Sequence, residues 1–455
     1  MSSAVPAGPS NPPGPSSPSV PPATAPNAQD VPTSLEQLVQ FLTLGHEIGH
    51  VHQTLKSFTK DPRDSVLADL LSSGQDPLDL LHPETHTLGF LYILSTRLNI
   101  QGAAPIQQST VETFCRSFNP EQARLAPTRI TALAKGIVRA SGDNLKFALS
   151  SLRDLVTRYP PNLSYLTTLH PIFLNICVIT RHYSAALPIV SVPILNVDTS
   201  LSDLHYNDSL LYHYAGGVAL GALKRWREAE EFFEIVATAP AQVPAAIQLE
   251  ALKKLTLVQL ILYGKTQQSP KYTSPVIIRL LKNSPYLNLA KMYPQHISIL
   301  GTLPPKDEEL FKVDKNWGLV QQVIARAPRW LIKKLTLTYL TLGLSDIALQ
   351  IGVHDEDEVR ALVIDMVESG DISASISVDG TVTFSDSVAQ LSKSEIDHAL
   401  AQAQAQSQLL VQLEREMNLS KEYIAKALKH KEEAWGAPDE EMFNASTGSG
   451  WGDDY

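Results

Sequence analysis

The sequence predicts a mostly α-helical protein: a tetratricopeptide-like solenoid of helical repeats that ends in a winged-helix module and is followed by a long C-terminal helix. Three observations predict it. From Thr33 to about Pro304, apolar residues recur at spacings of three and four, with almost no alternating stretch. Between Trp330 and Ser385 the pattern becomes helix, helix, helix, strand, tight turn, strand. From about Ser394 to His430 the apolar spacing settles at about 3.5 residues, the period of a coiled coil or bundle.

Residues 1–32 are rich in Pro, Ser and Ala. Such a segment buries too little apolar surface to offset the entropy of ordering, so disorder is expected. The repeats are expected over residues 33–209 and 210–329. Proline and glycine clusters punctuate them at Asp61-Pro62, Gly74 to Pro77, Tyr159-Pro160-Pro161 and Ser269-Pro270. One repeat is legible around Ala229, the small residue of a second helix. Gly217, Trp226 and Phe233 stand at the matching small and aromatic positions, and Pro240 comes one position early. Gly216 and Gly217, inside a helical pattern, read as close helix packing rather than a phosphate loop.

The winged helix is expected over 330–390. Its middle helix opens at Ser345, taken as the N-cap, and stops at Gly352. The next helix opens on the acids Asp355 to Glu358, matched to the positive end of its dipole, and stops at Gly370. Ile372, Ala374 and Ile376 alternate with polar residues, as do Val382 and Phe384, and Asp379-Gly380 between them signals a hairpin. After the wing, Ile396, Ala403, Leu410, Met417 and Ile424 occupy one seam position of the helix expected over 394–430. Ala399, Gln406, Leu413, Ser420 and Ala427 occupy the other. This seam is too small and polar for strong self-pairing and suits one member of a bundle of several helices. Residues 431–455, acidic and rich in Gly and Ser, are expected to be disordered.

Charge separates shape from the usual use of that shape. A DNA-reading winged helix inserts the helix before the wing into the major groove and needs Lys and Arg there. Here that helix carries Asp355, Glu356, Asp357, Glu358, Asp365 and Glu368 against Arg360, and the chain as a whole has a net charge of −10. Nucleic acid is therefore not an expected partner, and neither is a membrane. A protein partner, pairing with an open strand edge, fits better. Two cysteines, Cys115 and Cys177, suggest buried inert thiols in a reducing compartment rather than a disulfide framework. There is no apolar run long enough for a transmembrane helix and no signal-peptide pattern at the start.

One motif invites a catalytic reading. His46-Glu47-Ile48-Gly49-His50 fits H-E-x-x-H, in which two histidines one helical turn apart hold zinc and the glutamate activates its water. The further ligand spacing of a metzincin fails, with Gln53 and Lys56 where Gly and His would stand, and Glu84 is the nearest substitute. Solvated histidines on a polar helix face are the simpler expectation. The pairs Lys253-Lys254 and Lys333-Lys334 are likewise expected on solvated faces. No catalytic residue, cofactor or metal is predicted.

Helical repeats running into a winged helix resemble the PCI domain family, named for the proteasome lid, the signalosome and a translation initiation factor. LLYHYAGGVALGALKRWREAEEFFEIVATAP, LEALKKLTLVQLILYGKTQQSPKYTS, NWGLVQQV and LTLTYLTLGLSDIAL are similar, in order, to PCI subunits of the COP-nine signalosome. A proteasome-lid subunit is the alternative. The resemblance implies a non-catalytic scaffold, with its partners being other PCI subunits and metalloprotease-type subunits and, indirectly, cullin-RING ligases. It implies a place in cytoplasm and nucleus, in a complex that removes a ubiquitin-like modifier from cullins. It also implies two interfaces: the winged-helix sheet (Ile372, Ala374, Ile376, Val382, Phe384) and the C-terminal helix (Ile396, Leu410, Leu413, Met417, Ile424).

Overall fold

The structure, a computed structural model, describes Pro32 and residues 34–59, 63–241, 243–282, 284–295, 303–385 and 392–426, with Leu428. The Pro-rich leader and the acidic tail read from the sequence lie outside the described residues, apart from Pro32.

Helices pack in sequence order from Leu35 onward. Ser34 caps the first, Leu35–Thr43, by accepting from the Gln37 backbone N–H at 3.3 Å. The buried Thr87–Asn99 helix is tied to the preceding loop through Arg97. Its guanidinium reaches both carboxylate oxygens of Asp76 at 2.7 and 2.8 Å and the Asp69 carbonyl at 2.9 Å. The repeat read around Ala229 is a helical hairpin, Tyr206–Ala222 against Trp226–Thr238. Its small residues do what the spacing implied. A Cβ at Gly216 would lie 2.6 Å from the Phe232 ring, and one at Gly217 would lie 2.9 Å from Phe233. The two helices therefore close onto aromatic faces that any larger residue would push away. Ala246–Tyr263 packs on the second helix of this hairpin and ends at Gly264, whose φ of 69° is the left-handed cap that glycine tolerates.

One continuous apolar core runs from Leu35 to Ala327, and a second, smaller one holds Ile332 to Phe384. The Trp317–Thr336 helix belongs to both, with Val320 and Val323 in the first and Ile332 in the second. The second core is the winged helix. Leu344–Ile351 and Glu356–Glu368 pack beneath a three-stranded antiparallel sheet. Thr381–Phe384 is central, flanked by Thr341–Gly343 on one side and Ala374–Ile376 on the other. Gly352 and Gly370 have φ of 74° and 72° and end their helices, as read from the sequence.

Several expectations are corrected. The Thr341–Gly343 strand was not read; three residues are too few to show an alternating pattern. Ser345 lies inside the first turn and is not the cap. The Leu344 N–H pairs with the Gly380 carbonyl at 3.0 Å, so the helix begins at Leu344, directly off the sheet, with Gly343 as its cap. A two-residue parallel pairing of Tyr165–Leu166 with Asn196–Val197 also went unread, for the same reason of length. Lys253 and Lys254 are not solvated. Lys253 bridges Glu250 at 2.6 Å and Asp314 at 2.9 Å, and Lys254 is buried with its ammonium on the Asn316 side chain.

Candidate partner interface

Among the described residues, the wing sheet and the last helix both leave bonding capacity unused. In the sheet, Ser377 N–H donates to the Thr381 carbonyl and Ser385 N–H to the Ser373 carbonyl, each at 2.9 Å. By antiparallel alternation, Ser373, Ser375 and Ser377 turn their backbone groups toward the central strand. Phe384 N–H donates to the Leu340 carbonyl at 2.8 Å and Leu344 N–H to the Gly380 carbonyl, so the other side of that strand is taken by Thr341–Gly343. The central strand is saturated. Ala374 and Ile376 point their N–H and C=O groups outward, and no backbone group of a described residue bonds to them. That leaves the outer edge of Ala374–Ile376 unpaired, three residues long, with Thr341–Gly343 as the sheet's other edge strand.

The five sheet residues named from the sequence do not share one surface. Val382 and Phe384 are buried in the module's own core, and Ile372 is 9 % exposed beside them. Ala374 and Ile376 are half-buried against that core. What they offer a partner is the backbone edge, not an apolar face. Large apolar residues that sequence reasoning passed over stand on the module's outer surface: Leu337, Leu340 and Leu349 are 86, 81 and 76 % exposed. Helical periodicity alone does not mark a leucine as outward-facing when its neighbours are also apolar.

The last helix spans Lys393–Leu419 and buries no side chain. It starts at a capping box, in which Ser392 accepts from Glu395 N–H and the Glu395 carboxylate accepts from Ser392 N–H at 2.7 Å. The helix expected over 394–430 breaks at Ser420, whose extended backbone caps it, so Ile424 lies beyond its end; Ile396, Leu410, Met417 and Ile424 are between 42 and 60 % exposed, and Leu413 is half-buried. Leu400, Val411 and Leu428 extend the same apolar exposure. An apolar stripe of this length that the described residues leave unburied is a candidate surface for other helices.

Charge on the winged-helix face is partly spent inside the molecule. Arg329 pairs with Asp365 and, at 3.2 Å, with Asp371, and Arg326 reaches Asp371 at 3.5 Å. The acidic first turn of Glu356–Glu368 is capped by Asp355, which accepts from Asp357 N–H at 3.0 Å.

The H-E-x-x-H motif does not sit on one helix, which corrects the sequence expectation. Gly45, at φ 73°, follows the first helix, and the second begins only at Ile48 with Glu47 as its cap. His46 stacks on Phe41 at 4.2 Å between ring centroids, and His50 meets the same ring edge-on at 5.3 Å. Among the described residues no three His, Cys, Asp or Glu side chains gather as a metal site. Cys115 and Cys177 are both buried, and burial pushes the Cys177 thiol up to about 12. No helix of the described residues is long and apolar enough to cross a membrane.

The family described as "COP9 signalosome complex subunit 3, N-terminal helical repeats" matches residues 50–277, and the PCI domain matches residues 290–386. The chain belongs to the COP9 signalosome subunit 3 family. It is 31 % identical over 368 residues to the COP9 signalosome complex subunit 3 of Dictyostelium discoideum, covering 78 % of this chain and 88 % of that one. To the Arabidopsis thaliana protein of the same name it is 30 % identical over 410 residues, covering 83 % and 93 %. The segments quoted from the sequence resemble PCI subunits of the signalosome, and the comparisons narrow that resemblance to subunit 3.

Proposed function

We propose that the chain is a non-catalytic scaffold subunit of a signalosome and that it supports removal of the ubiquitin-like modifier from cullin ubiquitin ligases. Its direct partners are other PCI subunits, through the Ala374–Ile376 edge, and PCI and metalloprotease-type subunits, through the C-terminal helix. Contact with cullin-RING ligases is indirect. Residues 33–209 and 210–329 act as spacing repeats, 330–390 as the pairing module and 394–430 as the bundling segment, and the protein works in cytoplasm and nucleus.

The observation that carries this reading is the Lys393–Leu419 helix, which buries none of its side chains. Burying one Leu or Ile side chain is worth about 1.5–3 kcal/mol. Ile396, Leu410, Leu413, Met417 and Ile424 together are enough to outweigh the entropy of docking a helix, provided that several partner helices cover them. Chains ending at Ser392, co-expressed with the other subunits, test it. The truncated chain is expected to unfold at the same temperature as the full one and to be absent from the purified assembly. Normal incorporation would refute the bundling role. Stoichiometric zinc in the purified full chain, lost on His46→Ala, would replace the scaffold reading with a peptidase.

A further inference from the structure

Away from both interfaces, a cavity of about 400 Å³ lies between the Trp226–Thr238 and Ala246–Tyr263 helices, the loop that follows them and the Pro275–Lys282 helix. Leu252, Leu255, Ile278 and Leu281 give it apolar walls, and Glu230 and Glu234 place two carboxylates on it one helical turn apart. Glu230 is 8 % exposed. It accepts from Gln259 Nε2 at 3.1 Å and from the Tyr263 hydroxyl at 2.6 Å, both neutral donors. No cationic side chain among the described residues pairs with it. A buried carboxylate calls for a counter-charge, and two like charges at this spacing repel. A carboxylate accepts about four hydrogen bonds, so Glu230 has capacity left.

Thr273 supplies an independent sign. It lines the same cavity, is 2 % exposed, and its Oγ1 has no hydrogen-bond partner. A buried hydroxyl without a partner marks a place where a polar group is missing. The exposed Lys282 at the rim keeps its charge in solvent.

We propose that this cavity binds an alkyl guanidinium or alkyl ammonium group, its cationic head on Glu230 and Glu234 and its alkyl stem on the leucine and isoleucine wall. A planar guanidinium satisfies paired carboxylate oxygens best. The volume falls in the range of small-ligand sites. The group comes either from a free small cation or from an arginine side chain presented by a neighbouring protein.

Titration calorimetry on the full chain tests this with three probes: agmatine, N-acetyl-arginine methylamide and its neutral isostere N-acetyl-citrulline methylamide. At least one cation is expected to saturate at one per chain, at least tenfold tighter than the citrulline compound, and to weaken at least tenfold in Glu234→Gln. That variant carries the test because Glu230→Gln also disturbs the Tyr263 bond; an unchanged unfolding temperature confirms that Glu234→Gln is folded. Tighter binding of agmatine assigns a free cation, and tighter binding of the capped arginine assigns a protein side chain. Failure of both cations to saturate, equal binding of citrulline, or indifference to Glu234→Gln would each overturn the site.

Discussion

His170 has none of its surface exposed. Its Nδ1 accepts from Thr167 N–H at 3.1 Å, which suits the neutral ring, its Nε2 has no hydrogen-bond partner, and the ring meets Tyr212 in a T-shaped contact at 5.8 Å between centroids. Burial pushes its pKa down to about 4 from the ordinary 6.5. The unfolded chain therefore binds a proton between pH 6.5 and 4 that the folded chain refuses. Stability is whole above pH 6.5 and falls as pH drops toward 4, by about 3 kcal/mol at most from this group. Denaturant unfolding of His170→Gln across that window is expected to show a shallower acid slope than the parent; an identical slope would show that the loss arises elsewhere. Gly217 is the other residue-scale test. Gly217→Ala puts a methyl 2.9 Å from the Phe233 ring, which is itself buried. A loss of about 1–3 kcal/mol is expected in chemical denaturation, and none if the ring slides freely. Gly217 was legible in the sequence because its spacing to Ala229 and Phe233 is fixed by helix contact. Lys254 was not. A buried lysine that bonds Asn316 across 62 positions leaves no local trace, so it reads as surface.

At the scale of elements, the wing separates inward from outward backbone groups. Ala374→Pro removes an N–H that faces outward, whereas Ser375→Pro removes one that pairs with the central strand. Ala374→Pro is expected to leave the module folded, within about 1 kcal/mol, and to reduce its association with PCI partners at least tenfold. Ser375→Pro is expected to lower the unfolding temperature of the module itself. Equal effects of the two on stability would mean that the strand register differs. Turn chemistry made the hairpin readable, since Asp379-Gly380 admits few alternatives and Gly380 has φ 82°. The same local logic placed H-E-x-x-H on a helix. Gly45 broke the helix one residue earlier, because a glycine at a left-handed position ends a helix whatever apolar spacing continues beyond it. The sheet residues proposed as an interface were identifiable as a strand pair. Which face they turned to the core depended on the Leu344–Ile351 and Glu356–Glu368 helices packing beneath, a tertiary fact that alternation alone does not supply.

For the whole molecule, two cores share the Trp317–Thr336 helix, so the winged helix rides on the end of the solenoid. The heptad made the last helix legible before its surroundings were known. Its proposed role as a joint rests on what leaves it bare: Leu410 is 60 % exposed and Met417 45 %. Leu410→Asp with Met417→Asp is expected to leave the unfolding temperature of the isolated chain unchanged, because neither side chain is buried there, and to abolish co-purification with the assembly. A marked loss of stability in the isolated chain would place the helix against its own solenoid instead. The most direct test of a scaffold built on unused surface is hydrogen–deuterium exchange of the chain alone and in the assembled complex. Strong slowing confined to Ala374–Ile376 and Lys393–Leu419 is the predicted result. Unchanged exchange in both segments on assembly, with protection appearing elsewhere, would contradict it.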